Sequence, residues 1–173
     1  MAATGHAFWL CGLSGAGKST LAAHLAAALR RDGLGVLALD GDRVRAGLCG
    51  GLGFSEEDRT ENLRRAAEVA RLGVESGLVV VASFITPRAA QRDLARGIVG
   101  TGGFSLVHVA APLELCRRRD VKGLYARGVA QLTGVAQPFE EPADADLVID
   151  TANEPVEASA ARLLAFARRR TGA

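Results

Sequence analysis

The chain has 173 residues, of which 49% are hydrophobic and 23% charged, so we expect one globular domain with an ample core. Its formal net charge of +2 is too small to indicate nucleic-acid or membrane binding. Three cysteines without a CxxC pair argue against a disulfide scaffold or a structural zinc site. No apolar stretch approaches the roughly 18 residues of a membrane span, and no signal-peptide pattern is present, so we expect a cytoplasmic protein.

Five apolar runs predict β-strands, at 7–11, 35–40, 78–84, 104–110 and 146–150. Helical patterns lie between and after them, at 18–31, 55–76, 87–98, 112–119 and 154–170. Continuously apolar strands are typical of a parallel sheet with helices on both faces. Ser55 with Asp58 predicts a helix N-cap, and Pro87 and Pro112 are expected at first helical positions. The sequence therefore predicts a single α/β three-layer domain over residues 1–173.

The segment GLSGAGKS, residues 12–19, matches the phosphate-binding pattern G-x-x-x-x-G-K-[ST] between a predicted strand and a predicted helix. Its glycines allow successive N–H groups to converge on phosphate oxygens, and the helix directs its positive end at the same charge. Lys18 suits a cation between the β- and γ-phosphates, and Ser19 a hydroxyl ligand for Mg²⁺. The pattern predicts a nucleoside triphosphate site but leaves GTPases, ATPase motors and small-molecule kinases open.

Two carboxylates, Asp40 and Asp42, follow the second predicted strand, where open α/β sheets bind ligands. One carboxylate can hold a water of the Mg²⁺ shell, and the other can accept the proton of a hydroxyl group. The alternative interpretation is a solvated acidic turn with Gly41 at positive φ. Arg45 lies one turn later, and Arg59 and Asn62 share a face of the next predicted helix. These side chains are suited to bind an anionic acceptor that carries a hydroxyl group. Charged residues on a helix, however, more often only form its solvent-exposed face.

Six motifs occur in order along the chain: GLSGAGKST, LDGDRVR, LGFSEEDRTENLRR, SFITP, KGLY and LTG. Together, over residues 6–170, they resemble the adenylylsulfate kinase family of P-loop small-molecule kinases. The resemblance implies a P-loop kinase fold with a five-stranded parallel sheet and a lid segment at 117–142. It also implies transfer of the γ-phosphate of MgATP to the 3′-hydroxyl of adenosine 5′-phosphosulfate in sulfate assimilation, by an enzyme that is often a homodimer.

The same resemblance implies residue roles. Asp42 is expected to be the catalytic base, with Lys18 on the phosphates and Asp40 holding Mg²⁺ through a water beside Ser19. ATP is expected to bind Gly12, Leu13, Ser14, Gly15, Ala16, Gly17, Lys18, Ser19 and Thr20. The acceptor is expected to contact Asp42, Arg45, Phe54, Arg59, Asn62, Phe84, Ile85, Thr86, Lys122 and Leu132. Phe54 would stack on its adenine, Arg119 would belong to the lid, and Thr86 would line the pocket rather than carry a phosphoryl group.

Three departures from the family pattern keep a second interpretation open. Cys49 stands where the family usually has Asn, Leu132 stands where Phe is common, and the segment between KGLY and TG is short. A paralogue that phosphorylates another hydroxyl-bearing small molecule is therefore an alternative, and Phe139 is a candidate replacement for the missing aromatic face. A third interpretation, a nucleotide-binding module without turnover, is disfavoured because Asp42 and Arg45 are redundant for ATP binding alone.

Overall fold

The structure is a computed structural model that describes residues 5–120, 123 and 138–172. Strands and helices alternate through these ranges: β1 (His6–Cys11), α1 (Lys18–Arg31), β2 (Val36–Asp40), α2 (Gly41–Ala46), α3 (Glu56–Glu75), β3 (Val79–Ser83), α4 (Ala89–Val99), a 3₁₀ turn (Thr101–Gly103), β4 (Phe104–Ala110), α5 (Leu113–Arg119), β5 (Leu147–Asp150) and α6 (Val156–Thr171). Lys122, Leu132 and most of the predicted lid lie outside the described residues. Within the described part of the chain, no helix combines the length and apolar character that a membrane crossing needs.

All five strands form one parallel sheet in the order β2-β3-β1-β4-β5. The central strand β1 is fully buried, and successive side chains point to opposite faces. Trp9 joins the core beneath α3 and α4, whereas Phe8 joins the core beneath α1 and α6. The predicted α/β three-layer architecture with a five-stranded parallel sheet is therefore confirmed, and β3, whose carboxyl end carries the SFITP motif, lies beside β1.

Of the three helix-start signals predicted at Ser55, Pro87 and Pro112, one agrees with the structure and two differ. Ser55 caps α3, because its Oγ accepts a hydrogen bond from the Asp58 backbone N–H at 3.1 Å. Pro87 and Pro112 were expected at first helical positions, but α4 begins at Ala89 and Pro112 occupies the N-cap of α5. Both prolines therefore end the preceding loop, where their fixed φ is equally acceptable.

A short helix that the sequence analysis did not predict follows β2. It is α2, and the Asp40 side chain caps it by accepting a hydrogen bond from the Asp42 backbone N–H at 3.1 Å. The acidic-turn alternative, with Gly41 at positive φ, is wrong because Gly41 is the first residue of this helix and has no positive φ. Six residues are too few for a helical period to be read from sequence.

Candidate active site

A cavity of about 1320 Å³ runs along the carboxyl edge of the sheet. Most of its lining residues fall into three groups: Ser14–Thr20, Arg119, Asp120 and Thr151–Val156 at one end, Asp40–Asp42 and Ser83 in the middle, and Arg45, Phe54, Arg59, Asn62, Phe84–Pro87 and Gln91 at the other end. Its volume exceeds the roughly 300–1,000 Å³ of an ordinary ligand pocket, so two nucleotide-sized ligands can be held side by side. The structure therefore brings together every predicted acceptor residue that it describes.

The phosphate loop forms one end of this cavity, between β1 and α1. Lys18, the first residue of α1, is buried, and its Nζ donates to the Leu13 carbonyl oxygen at 2.7 Å. Gly12 and Leu13, which were predicted to bind ATP, do not line the cavity. A Cβ at Gly12 would collide with the Val109 carbonyl oxygen, so Gly12 is required where the loop crosses β4.

Asp40 is the hydrogen-bonding centre of the middle group. Its Oδ2 accepts from the Ser19 hydroxyl at 2.8 Å and from the Ser83 hydroxyl at 3.1 Å. Ser83 reaches it because the two residues are paired across β2 and β3. Burial would raise the pKa of Asp40, but the hydrogen bonds from Ser19, the Asp42 backbone and Ser83 together bring it below its usual value. Asp40 is therefore ionised at neutral pH.

Ser19 and Asp40 together offer hydroxyl and carboxylate oxygens beside the phosphate loop. Hard oxygen donors are the ligands that Mg²⁺ prefers, and this ion usually keeps waters and substrate phosphate oxygens as its remaining ligands. Among the described residues, no cluster of three or more His, Cys, Asp or Glu side chains is placed to hold a metal. The residues thus fit a Mg²⁺ ion that is shared with bound nucleotide.

Gly41 allows a close approach between α2 and the end of β3. A Cβ on Gly41 would lie 3.2 Å from the Ser83 carbonyl oxygen and 3.3 Å from the Phe84 ring. Both distances are tighter than ordinary van der Waals contact, so a larger residue would push the first turn of α2 away from the sheet. Asp42 stands in that first turn, exposed to the cavity, and Arg45 follows on the same short helix.

The far end of the cavity is an aromatic and cationic surface. Phe54 is 56% exposed, and the guanidinium carbons of Arg45 and Arg59 lie 4.6 Å and 5.7 Å from its ring centroid. Both guanidiniums are anchored to backbone carbonyl oxygens, Arg45 to Gly53 at 2.8 Å and Arg59 to Phe54 at 2.9 Å. Burial, and secondarily the charge of Arg45, lowers the pKa of Arg59. The surface therefore suits a ligand with a planar ring and a negative charge.

Asn62 supplies an uncommon polar group beside that surface. Its side chain is 5% exposed, and Oδ1 is buried without a hydrogen-bond partner, the one such side-chain atom in the described part of the chain. An unsatisfied buried oxygen costs about 1–3 kcal/mol, so a ligand that donates a hydrogen bond there would gain this energy. Cys49, by contrast, is fully buried behind Asn62 and does not line the cavity.

Thr86 forms the wall that follows β3 and has an unusual backbone. It has a φ of +45°, which is rare for a β-branched residue, and its side chain is 1% exposed. Its hydroxyl accepts from the Trp9 indole N–H at 2.9 Å, and its carbonyl oxygen accepts from Arg92 at 3.1 Å. The Phe84 ring stacks on Trp9 with centroids 5.0 Å apart. Trp9 and Arg92 therefore fix a strained wall, and the Thr86 hydroxyl is buried against Trp9.

Phe139 lies elsewhere than the sequence analysis suggested. Its ring stacks on His108 with centroids 5.7 Å apart, and it does not line the cavity. The backbone N–H of the next residue, Glu140, donates to the Pro87 carbonyl oxygen at 2.8 Å, which fastens this segment beside α4. The proposal that Phe139 replaces the missing aromatic face is therefore wrong in this structure.

Three features of the cavity were not found from sequence: Ser83, Gln91 and the loop 151–155 after β5. Ser83 is the first residue of the SFITP motif, but only Phe84, Ile85 and Thr86 of that motif were expected in the site; Gln91 belongs to no motif, and only the fold brings it there. The loop had a usable signal, because it follows directly on the predicted last strand, at the carboxyl edge where ligands bind. Arg119 lines the cavity beside this loop, and its guanidinium donates to the Thr151 hydroxyl at 3.1 Å.

Comparison with known proteins identifies the family. The sequence model of the family Adenylylsulphate kinase matches residues 4–150. The adenylyl-sulfate kinase of Paraburkholderia xenovorans is 52% identical over 168 residues, covering 95% of this chain and 93% of that relative. A structure of the Mycobacterium tuberculosis APS kinase CysC in complex with AMPPNP and APS is 37% identical, with a TM-score of 0.90 over 96% of this chain and 99% of that chain. The hexameric APS kinase from Thiobacillus denitrificans is 31% identical, with a TM-score of 0.77 over 98% of this chain and 30% of that chain. The chain belongs to the adenylylsulphate kinase family.

Proposed function

We propose that this chain transfers the γ-phosphate of ATP to the 3′-hydroxyl of adenosine 5′-phosphosulfate, giving ADP and 3′-phosphoadenylyl sulfate. The observation that carries this function is the single cavity that joins a phosphate loop to an aromatic and cationic surface, with Asp42 between them. The similar Mycobacterium tuberculosis enzyme holds AMPPNP and APS together, which is the pair of ligands that such a cavity requires. Membership of the adenylylsulphate kinase family supports the same reaction.

The far end of the cavity matches the chemistry of the acceptor group by group. The exposed face of Phe54 suits the adenine ring, and the guanidiniums of Arg45 and Arg59 suit the phosphosulfate. The phosphosulfate carries only hydrogen-bond acceptors at neutral pH, so it cannot satisfy Asn62 Oδ1. The ribose hydroxyls and the adenine amino group are the donors of this acceptor, and we assign one of them to Asn62.

The transfer step uses Asp42 as the general base. Its carboxylate takes the proton of the 3′-hydroxyl as that oxygen bonds to the γ-phosphorus, and the bond from the γ-phosphorus to the bridging oxygen breaks to release ADP. Lys18 and the loop amides stabilise the charge on the transferring group. Ser19, and Asp40 through a water, would hold Mg²⁺, which when bound neutralises charge on the β- and γ-phosphate oxygens. A direct in-line transfer needs no phosphoenzyme, which agrees with the burial of Thr86.

The experiment measures ADP release from MgATP with and without adenosine 5′-phosphosulfate. We expect strong stimulation by the acceptor, and the absence of stimulation at micromolar to millimolar concentrations would overturn the proposal. Asp42→Asn should lower the transfer rate by about 100-fold or more while AMPPNP still binds, because a general base contributes that much. Asp93→Asn is the matched control, since Asp93 is an exposed carboxylate on α4 paired with Arg96 at 3.4 Å. A wild-type rate for Asp42→Asn would contradict the base assignment.

The departures that suggested another acceptor carry less weight once the fold is known. Cys49 is buried in the core beneath α3, so its difference from the family's usual Asn does not change the cavity wall. Leu132 and the shortened segment lie outside the described residues. The same assay tests the alternative, because a paralogue with a different acceptor would bind ATP yet fail to respond to adenosine 5′-phosphosulfate.

We also propose a setting for this activity. A single kinase domain over residues 1–173, a role in sulfate assimilation, a cytoplasmic location and a homodimer all remain predictions. The single domain is supported by the one sheet into which all the described strands pair. Light scattering on the purified protein tests the homodimer, which predicts a mass twice the 18.0 kDa of the chain. A mass corresponding to one chain or to six would contradict it.

A further inference from the structure

Thr151 has no role in the function derived so far, yet it lies where three parts of the ATP end of the cavity meet. It follows β5 directly, and its backbone N–H continues the sheet by donating to the Ala110 carbonyl oxygen at 3.0 Å. Its hydroxyl donates to the carbonyl oxygen of Ala16, in the middle of the phosphate loop, at 2.8 Å. This hydrogen bond joins residues 135 positions apart in the sequence, so the loop is attached to the last strand of the sheet.

The hydrogen bond to Ala16 acts on the orientation of one peptide group. A trans peptide is planar, and its C=O and N–H point in opposite directions. Holding the Ala16 carbonyl oxygen on the Thr151 side therefore turns the Gly17 N–H to the other side of the loop. Both residues line the cavity in which the phosphates are proposed to lie, and the N–H groups of this loop are the phosphate donors. The Thr151 methyl lies near Gly17 as well, 3.8 Å from where a Cβ would stand.

Thr151 also contacts the end of α5. The Arg119 guanidinium donates to the Thr151 hydroxyl at 3.1 Å and to the Thr151 carbonyl oxygen at 2.6 Å. One hydroxyl thus accepts from Arg119 and donates to Ala16, so its single proton and one of its two lone pairs are used; the Ala110 carbonyl oxygen, at 3.3 Å, is the more distant acceptor for the same proton. The position of a cation at the entrance of the predicted lid is linked by this hydroxyl to the orientation of the phosphate loop.

We propose that Thr151 is a positioning residue for ATP, which orients the Ala16–Gly17 peptide toward the phosphates and fixes Arg119 beside them. The inference rests on the ATP half of the proposed function and does not depend on the identity of the acceptor. Thr151 itself touches no reacting atom in this assignment. Its effect should therefore appear in nucleotide affinity first, and in acceptor affinity not at all.

The test compares Thr151→Val, which keeps the shape and loses the hydroxyl, with Thr151→Ser, which keeps the hydroxyl. The Kd of MgAMPPNP is measured by calorimetry, so the result does not depend on turnover or on the acceptor. Loss of hydrogen bonds of this kind predicts about tenfold weaker binding for Thr151→Val and near wild-type binding for Thr151→Ser. Thr171→Val is the matched control, because Thr171 is a buried threonine whose hydroxyl bonds the Ala167 carbonyl oxygen far from the site.

Two results would overturn the inference. The first is a wild-type Kd for MgAMPPNP in Thr151→Val. The second is an equal loss of affinity for nucleotide and for acceptor together with a lower melting temperature, because that combination indicates that the whole fold is destabilised. If Thr151→Val does not fold, Thr151→Ala replaces it, and failure of Thr151→Ser to bind better than Thr151→Ala contradicts the role of the hydroxyl. If adenosine 5′-phosphosulfate does not stimulate ADP release by the wild-type protein, the proposed reaction is refuted, but the nucleotide affinities of the Thr151 variants still test the role of Thr151.

Discussion

Replacing Asn62 by Leu should stabilise the free protein while it damages acceptor binding. The side chain is 5% exposed and its Oδ1 has no hydrogen-bond partner, so the free protein bears an unsatisfied polar group. Such a group lowers the free energy of unfolding by about 1–3 kcal/mol, and leucine removes it. The slightly larger leucine side chain can be accommodated because Asn62 borders the cavity. One kilocalorie per mole corresponds to about 2–4 °C for a domain of this size, so we expect a rise in melting temperature of at least that amount.

The effect on the acceptor should have the opposite sign. A hydroxyl or amino donor that faces Asn62 Oδ1 in the wild-type complex would face a methyl group in the variant. The loss of about 1–3 kcal/mol corresponds to a roughly 5- to 150-fold higher KM for adenosine 5′-phosphosulfate. The KM for MgATP should stay within about twofold, because Asn62 lies on α3 at the acceptor end of the cavity.

The assay is thermal unfolding without ligands, followed by steady-state kinetics with each substrate varied in turn. Gln91→Leu is the matched control, since Gln91 is a buried amide whose polar atoms are satisfied by Thr60 at 3.2 Å and by the Arg88 N–H at 3.4 Å. Its removal leaves those partners unpaired, so it should lower the melting temperature. If Asn62→Leu also lowers the melting temperature, or leaves the acceptor KM unchanged, the reasoning about the unsatisfied oxygen is refuted.

Three further predictions concern the acceptor wall and the thiols. Thr86→Ala should keep kcat within about tenfold of wild type, because in-line transfer needs no enzyme-bound phosphate. For the same reason the variant should never carry radiolabel from [γ-³²P]ATP. If the wild-type protein becomes labelled, and this substitution removes both the label and the activity, the prediction is contradicted. Phe54→Leu should raise the acceptor KM about fivefold or more through lost stacking, and an unchanged KM would remove Phe54 from the adenine site. No thiol should react quickly with a disulfide reagent at pH 8 before unfolding, because Cys11, Cys49 and Cys116 are buried and burial raises the pKa of Cys11 to about 12; one fast thiol would refute this.

The parts of the fold that were predicted correctly are those whose signals are local. A continuous apolar run defines β1 whatever lies beside it, and the phosphate-loop pattern fixes the strand before it and the helix after it. The cap of α3 is equally local, because Ser55 and Asp58 are three residues apart. The predicted bounds of α1, residues 18–31, are the same as those in the structure.

The parts that were missed depend on residues far apart in the chain. The Thr86 wall is held by Trp9, 77 positions away, and the phosphate loop by Thr151, 135 positions away. Neither contact leaves a period or a spacing in the sequence, because each follows from which strands become neighbours in the sheet. Phe139 shows the same limit, since a conspicuous aromatic residue near the end of the predicted lid stacks on His108 instead of entering the site.

Asp40 explains why the two carboxylates stand two residues apart with glycine between them. One oxygen of Asp40 accepts from Ser19, the proposed Mg²⁺ ligand, and the other caps the helix whose first turn carries Asp42. The Asp40 carboxylate therefore connects Ser19 to α2, the helix that carries the proposed base Asp42, so a displacement of Ser19 would also displace Asp42. Gly41 permits this arrangement, because any Cβ would press against the Ser83 carbonyl oxygen at 3.2 Å. Asp40, which is proposed to hold Mg²⁺ through a water, and Asp42, the proposed base, thus lie in one turn at the end of β2, and their relative position is set by the end of the sheet rather than by a loop.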